Sequence, residues 1–495
     1  MSRWISRFRT ATAIAGTAAC ISLAAPHAEA NSWWNFQKVV NSEDAMPGTD
    51  PERIFNSFNP PSIDENQLVV FRGRTRGVGH GPLDPGQLEG IYTRDMAILG
   101  PINLIADSNT PVPDSELADV TFRRFPSFPR IDDGSVVFRG MSPPIVPEGG
   151  GNAGVYTNAP GVLTTGVNRT FTVPPDNTVV FGQFPGAPDI VDGTIIFKGN
   201  LSEEEEGGDE ATGIYFRDVV NDGPVQLVTG TNQNIPGTTT PFGSTSPPSV
   251  DENLVAFRGV DDEENPTLGG LMLADRSAAD IPFSVQSLVS IGDSIPNGTG
   301  AFARIGEAIS FDGGTIAFNA YSDSGEQGIY QYDVDTDDLS TVADLETLIP
   351  GSSDTFTSFE FESIRMGGEN EGELRISSFL AADSEVVAFL GKGPDDLVGL
   401  YALIDDTLTK ILDTTDNAGL LEPELDGFLI TELGLERDGL AGGTLAFSAR
   451  MEDPDGILEG RAGIYTVPIP EPTTAALVVL AATFAGSRRP RRHHA

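Results

Sequence analysis

Short apolar runs, each preceded by an acidic turn and closed by a phenylalanine, recur down the chain. Asp64-Glu-Asn-Gln-Leu-Val-Val-Phe71, Asp132-Asp-Gly-Ser-Val-Val-Phe138 and Asp312-Gly-Gly-Thr-Ile-Ala-Phe318 show the pattern, and four further copies end at Phe197, Phe257, Phe389 and Phe447. The unit is about 60 residues long, a period that points to a repeat architecture before any other reading. A second landmark follows each phenylalanine: Gly90-Ile91-Tyr92, Gly154-Val155-Tyr156, Gly213-Ile214-Tyr215, Gly328-Ile329-Tyr330, Gly399-Leu400-Tyr401 and Gly463-Ile464-Tyr465, with Gly270-Leu271-Met272 in the fourth unit. The distance from Phe to Tyr varies from 12 to 21 residues, so two constant strands flank a loop of free length. A third apolar stretch comes next, such as Ile102–Ile105 or Val225–Val228, then an apolar-Pro pair such as Val112-Pro113 or Ile235-Pro236, then a Phe-containing segment. Runs this short, bounded by Gly, Pro, Asn and Asp, predict strands and not helices.

Three or four strands per unit make one blade of sheet, which cannot cover both of its own faces, so blades stack and the ring must close to remove exposed edges. The expected fold is therefore all-β, a seven-bladed β-propeller over residues 31–466. Closure is legible at the ends. The last unit stops after Tyr465 without its third and fourth strands. The N-terminal side carries Phe36–Val40, then Met46-Pro47-Gly48-Thr49, then Phe55 and Phe58, a match to Val225–Val228 followed by Ile235-Pro236-Gly237-Thr238. N-terminal strands are expected to complete the last blade. Each recurring Phe is expected to pack between blades and each opening Asp to cap a tight turn with its own carboxylate.

The two ends read differently from the repeats. Residues 1–30 carry Arg3, Arg7 and Arg9, an apolar Ala-rich stretch and Ala28-Glu29-Ala30, the marks of a signal peptide cleaved after Ala30. A lipoprotein acylated at Cys20 is the rival reading, disfavoured by Thr17 where a Leu is usual. Cys20 is the only cysteine, so the exported chain has no thiol, disulfide or thiolate metal site. Residues 31–465 hold 23 basic against 70 acidic side chains, a net charge of −47 that repels nucleic acid and anionic lipid and serves solubility.

The acidic turn, apolar-apolar-Phe strand and following Ile-Tyr strand resemble the repeat of TolB-type and WD40-like β-propellers, over residues 36–466. The WD dipeptide is absent and the units are longer, so no TolB partner carries over. Residues 467–495 hold Pro470-Glu471-Pro472, an apolar segment from Ala475 to Gly486, and Arg488, Arg489, Arg491 and Arg492. The three parts closely resemble the PEP-CTERM sorting signal. About 12 apolar residues are fewer than the roughly 20 of a permanent membrane span, so the physical reading is a transient or marginal anchor held by its arginines. The resemblance implies processing near Pro470–Pro472 by an exosortase-type enzyme and export to the cell surface or extracellular matrix of a Gram-negative, exopolysaccharide-producing bacterium.

Candidate chemistry is sparse. Outside the two ends the only histidine is His80, in a Gly-Pro-rich loop and read as a solvated loop residue, so a multi-histidine metal site is excluded and a Ser-His-Asp triad nearly so. No nucleophile elbow or phosphate-binding loop is present. Carboxylate pairs for glycan hydrolysis exist by residue type alone, but the tryptophan platforms of sugar-processing propellers do not occur in the repeats. Asp333, Asp335 and Asp337 have the first three spacings of a calcium loop without its Gly or its bidentate Glu, and a polar hairpin turn is the preferred reading. Calcium is the one cofactor left open. The run Glu203–Glu206 reads as a solvated insertion. After the recurring Phe stand Arg72, Arg139, Lys198 and Arg258 in units one to four: they bind an anionic polymer or, preferably, pair with acids of the neighbouring blade. The reading reached is a non-enzymatic binding or structural protein of the matrix, with exopolysaccharide or matrix proteins as partners. A carboxylate-dependent glycan hydrolase is the alternative.

Overall fold

In the computed structural model the chain is described over residues 34–470, apart from 50–52, 77–86, 116–118, 144–151, 176, 202–211, 278–282, 362–377 and 385. The expected signal peptide with Ala28 and Ala30, His80, Glu203–Glu206, and the tail from Glu471 and Pro472 onward lie outside the described residues. Seven antiparallel sheets of four or five strands form a seven-bladed β-propeller.

Blade 2 shows the plan: a first strand Arg130–Asp132, a tight acidic turn, the second strand Ser135–Ser142 with the recurring Phe, the third strand Asn152–Thr157 with the Tyr, and the fourth strand Thr164–Asn168. In every blade the recurring Phe lies directly across from its landmark: Phe71 from Tyr92, Phe138 from Tyr156, Phe197 from Tyr215, Phe257 from Met272, Phe318 from Tyr330, Phe389 from Tyr401 and Phe447 from Tyr465. These rings are buried between blades. Phe138 and Tyr156 of blade 2, for example, share a cluster with Val70, Ile91 and Ala106 of blade 1.

The sequence landmarks follow from this packing. Phe122, which precedes blade 2, stands edge-on to Tyr156 with ring centroids 4.8 Å apart. It presses on Gly140, where an added Cβ would come within 2.5 Å of its ring. Tyr156 folds back over Gly154, whose own Cβ would meet the hydroxyl at 2.9 Å, so the Gly two places before the Tyr makes room for that side chain.

Ring closure holds with one change of register. Gln37–Asn41 pairs with Arg461–Pro468 and completes blade 7 as its fourth strand. The Phe58 segment does not belong to blade 7: Ser57–Phe58 pairs with Leu68–Arg74 in blade 1. The Phe-containing segment thus opens the next blade and does not close its own, because its ring must cover the Phe-Tyr pair of the sheet it enters.

Turns between first and second strands and between third and fourth strands share one side of the ring, since Leu68 pairs with Asp95 across the blade. This is the turn face. The opposite side, the loop face, carries the connections between second and third strands. Those vary from residues 75–88 in blade 1 to 323–326 in blade 5.

Candidate functional site

The first strands lie innermost. Each touches the next around the ring, and that of blade 7, Leu440–Ala441, meets that of blade 1, Ser62–Ile63. Their acidic turns form a ladder from blade to blade. Asp64 accepts from Asn66 N and Leu68 N with Oδ1 (3.0 and 2.9 Å), the turn cap the sequence predicts, while Oδ2 accepts from Gly134 N of blade 2 at 2.9 Å. Asp132 Oδ2 accepts from Asp192 N at 2.7 Å, Asp251 Oδ2 from Gly314 N at 2.8 Å and Asp383 Oδ2 from Gly443 N at 3.3 Å. Blade 3 reaches blade 4 through Asp189, whose Oδ2 accepts from Val250 N at 3.0 Å, and Ile63 N donates to Asp438 O at 2.8 Å to close the circle. In Asp64 one carboxylate oxygen caps the local turn and the other binds the neighbouring blade.

The axis is filled by the chain itself. Residues 435–439, just before the innermost strand of blade 7, run through buried surroundings. Arg130 of blade 2 is only 1% exposed. Its guanidinium meets Glu436 Oε1 at 2.7 Å and Asp438 Oδ2 at 2.9 Å, and donates to Ser62 Oγ of blade 1 at 2.9 Å. Arg437 donates to Ala187 O of blade 3 at 3.1 Å, and its own carbonyl accepts from Ser310 Oγ of blade 5 at 2.6 Å. Groups from blades 1, 2, 3, 5 and 7 converge only at the axis. Ser310 also accepts from Ala382 N of blade 6, and Ser249 of blade 4 accepts from Phe311 N, so these hydroxyls are held by neighbouring backbone.

Burial shapes the ionisation here. Against complete burial, Glu436, Asp438 and Asp189 hold Arg130 above its ordinary pKa. Burial and then Arg130 push Arg437 down, with the surrounding carboxylates pulling it back. Asp189 is raised to about 8 by burial and then by Asp438, against the pull of Arg437 and Arg130. Asp312 is also raised to about 8, by burial and then by Asp383, Asp251 and Asp438. Such an array can fix the ring and respond to pH. The hydroxyl and carboxylate groups named here point at other protein groups.

The basic residues after the recurring Phe lie between blades. Arg72 is 1% exposed and pairs with Glu89 of its own blade at 2.7 Å. Glu89 also accepts from Phe125 N of blade 2 at 2.7 Å. Burial alone would raise Glu89, but Arg72, Arg74 and that N–H hold its pKa below the usual carboxylate value. Arg258 of blade 4 meets Glu307 of blade 5 at 3.1 Å, and Arg139 donates to Gly186 O of blade 3 at 3.5 Å. Arg72, Arg139 and Arg258 are buried and Lys198 is half-buried. Asp333, Asp335 and Asp337 fall in the turn of the Gln327–Asp333 and Asp338–Asp344 hairpin. Asp333 accepts from Thr336 N at 2.8 Å and Asp337 from the Tyr332 hydroxyl. Among the described residues no group of three or more His, Cys, Asp or Glu side chains is arranged to hold a metal ion. Pro470 is exposed at the end of the described chain.

The reading of the repeats did not reach the axial network. Its signal is the place where the last unit departs from the others, Leu435-Glu436-Arg437-Asp438-Gly439, with three charged residues in succession where each other unit has at most one before its acidic turn.

A family model described as "Family of unknown function (DUF7453)" matches residues 19–385. No curated protein matches the chain. Among solved structures it is similar to a puromycin hydrolase (12% identity, TM-score 0.44, 80% of this chain and 52% of that one). It is also similar to a puromycin-hydrolyzing peptidase of Mycobacterium tuberculosis (15%, 0.37, 80% and 58%) and to the Trypanosoma rangeli sialidase (10%, 0.36, 91% and 62%). The chain spans about half to three-fifths of the length of these structures.

Proposed function

The chain belongs to the DUF7453 family, and we propose that it is an exported, surface-sorted β-propeller acting as a non-enzymatic binding or structural module of an exopolysaccharide-containing matrix. The supporting observation is the filled axis. Arg130, Glu436, Arg437 and Asp438 direct their charges at one another and at the blades, so the centre of the ring serves closure. What varies from blade to blade is the loop face, a set of loops of different length on a constant frame, which is where a rigid scaffold carries recognition.

The described part of that face is acidic, with Asp262, Glu264, Asp323, Asp396 and Asp455 exposed. An anionic glycan approaches such a rim with divalent cations between, and a cationic polymer approaches it directly. The tail, with Pro470-Glu471-Pro472 ahead of an apolar segment and an arginine cluster, supports sorting by an exosortase-type enzyme in a Gram-negative host.

The test is co-sedimentation of the purified protein with native matrix polysaccharide, with calcium and with chelator, alongside an assay for newly released reducing ends. Retention without release supports the reading. Release that scales with protein concentration and disappears on replacing one carboxylate pair would establish the hydrolase instead. Mass spectrometry of the cell-derived protein should find a start near Asn31 and an end near Pro470–Pro472, and an unprocessed chain would overturn the sorting reading.

A further inference from the structure

Blades 1 and 3 turn from third to fourth strand on the same backbone. In blade 3, Gly223 N donates to Asp218 O (2.8 Å), Arg217 Nε to Gly223 O (2.8 Å) and Asn221 N to Asp218 Oδ1 (2.9 Å). In blade 1, Gly100 N donates to Asp95 O (2.8 Å), Arg94 Nε to Gly100 O (2.9 Å) and Ile98 N to Asp95 Oδ1 (3.3 Å). The left-handed position is Asp222 in one (φ 51°) and Leu99 in the other (φ 49°). Blade 3 places Asn221-Asp222 at the apex, residues that tolerate this backbone and like water. Blade 1 places Ile98-Leu99 there, 75% and 57% exposed. A left-handed leucine is strained and an exposed apolar pair is unfavourable in water. The turn does not require either.

The same face continues the apolar character. Val162 of blade 2 is 67% exposed and Val220 of blade 3 is 52% exposed. Gly193 sits between Val220 and Ala159 of blade 2, with 2.5 Å and 3.8 Å from an added Cβ, so blades 2 and 3 join at this level. Blades 5 and 6 present Asp335, Asp337, Asp405 and Asp406 in the equivalent turns, all exposed. The third-to-fourth turns therefore expose apolar side chains on blades 1 to 3, beside Asn221 and Asp222 in blade 3 and with Glu65, Asp133 and Asp192 in the neighbouring first-to-second turns, whereas those of blades 5 and 6 expose acids.

The chain also leaves on this face. The third strand of blade 7 ends there, and Ile469 N donates to Gly443 O at 2.8 Å. Gly442, next to it, lies 3.0 Å from Glu65 O of blade 1, measured from an added Cβ. Only Glu471–Thr474 separate Pro470 from the apolar segment that starts at Ala475. Four residues fully extended span at most about 14 Å. If the apolar segment enters a bilayer, the turn face cannot stand far from it.

We propose that the turn face is the membrane-apposed face. Ile98, Leu99, Val162 and Val220 dip into the headgroup region of a lipid surface beside the C-terminal segment, about 5–10 Å deep as interfacial side chains do. The acidic turns of blades 5 and 6 tilt away from the lipid, and the loop face looks outward toward the matrix. This rests on the tail reading proposed above.

The experiment uses the full chain with Cys20→Ser, so that a single introduced cysteine takes an environment-sensitive dye. Ile98→Cys reports the turn face and Ser324→Cys, in an exposed loop of blade 5, reports the loop face. Each is reconstituted with phosphatidylcholine vesicles carrying a lipid-bound quencher. Several-fold stronger quenching at position 98 than at 324 is expected, and Ile98→Asn with Leu99→Asp should reduce quenching of a dye at Val162→Cys. A vesicle-bound chain with dye at 98 still in water overturns the orientation and leaves the tail reading standing. Dye contact between two copies without lipid quenching identifies a second copy as the occupant and overturns the proposal. A chain that stays off the vesicles overturns the tail reading and this proposal together.

Discussion

Replacing Asp312 with Asn should make the protein more stable at alkaline pH and leave it unchanged at acid pH. Asp312 ends the first strand of blade 5 and its carbonyl accepts from Ser384 N of blade 6 at 3.3 Å. Burial, then Asp383, Asp251 and Asp438, raise its carboxyl to about 8, and the Gly313 N–H opposes them. An unfolded aspartate titrates near 3.9. Between about pH 4 and pH 8 the native state holds a proton that the unfolded chain has released, so this group's contribution falls as pH rises through that window and is flat on either side. Four units at about 1.4 kcal/mol each set a ceiling of about 5–6 kcal/mol. The carboxyl keeps some contact with solvent, which screens it, so about 1–3 kcal/mol is expected. Asn imitates the neutral acid in shape and charge. Urea unfolding of Asp312→Asn and the native protein should agree near pH 3, below both the folded and the unfolded value, and diverge by about 1–3 kcal/mol in favour of the variant at pH 8.5. The difference between the two proteins cancels the titration of carboxylates remote from Asp312, leaving only its own and that of its neighbours Asp383, Asp251 and Asp438. Parallel curves across this range would refute the claim that Asp312 is held neutral.

Arg130→Ala leaves Glu436 buried and Asp438 half-buried without this cation and should cost about 3–5 kcal/mol in urea unfolding, whereas a surface arginine replacement such as Arg76→Ala should cost under about 1 kcal/mol. Gly140→Ala forces its methyl into the Phe122 ring and should destabilise by about 1–3 kcal/mol, measured by thermal melting. Asn41→Ala removes the two hydrogen bonds from its side-chain amide to Glu422 (3.0 and 2.8 Å) that tie the N-terminal strand to blade 7. It should cost about 1–3 kcal/mol, and hydrogen exchange at Val39 and Val40 should rise before exchange in the strands of blades 2 to 6.

Much of the fold was legible because its determinants are local and repeated. The alternation around each Phe, the Gly-x-Tyr triplet and the acidic turn each report a strand, a packing partner or a reversal within a few residues, and seven copies average out the variation. The orphan strand Phe36–Val40 was recognisable because it carries the pattern of the strand missing after Tyr465. The boundary of a blade was not legible in the same way. Phe58 looks equally suited to ending one unit or beginning the next, and only the burial of its ring against Phe71 decides.

The sequence by itself determined the class, the number of blades and the means of closure, because strand period, turn chemistry and repeat count are properties of neighbours along the chain. Tertiary structure alone decided what the recurring charges do. Asp64 caps its own turn, as its local residues require, yet its second oxygen, like one oxygen of Asp132 and of Asp251, reaches a backbone N–H some 60 to 70 residues away. Arg72 and Arg258, expected to bind an anionic polymer or preferably to pair with acids of the neighbouring blade, lie buried against Glu89 of the same blade and Glu307 of the next. Arg130 and Asp438 meet across more than 300 positions at the axis. Charge acts through space and burial sets its strength, so the partner of an ionised group is known only once the ring has closed around it.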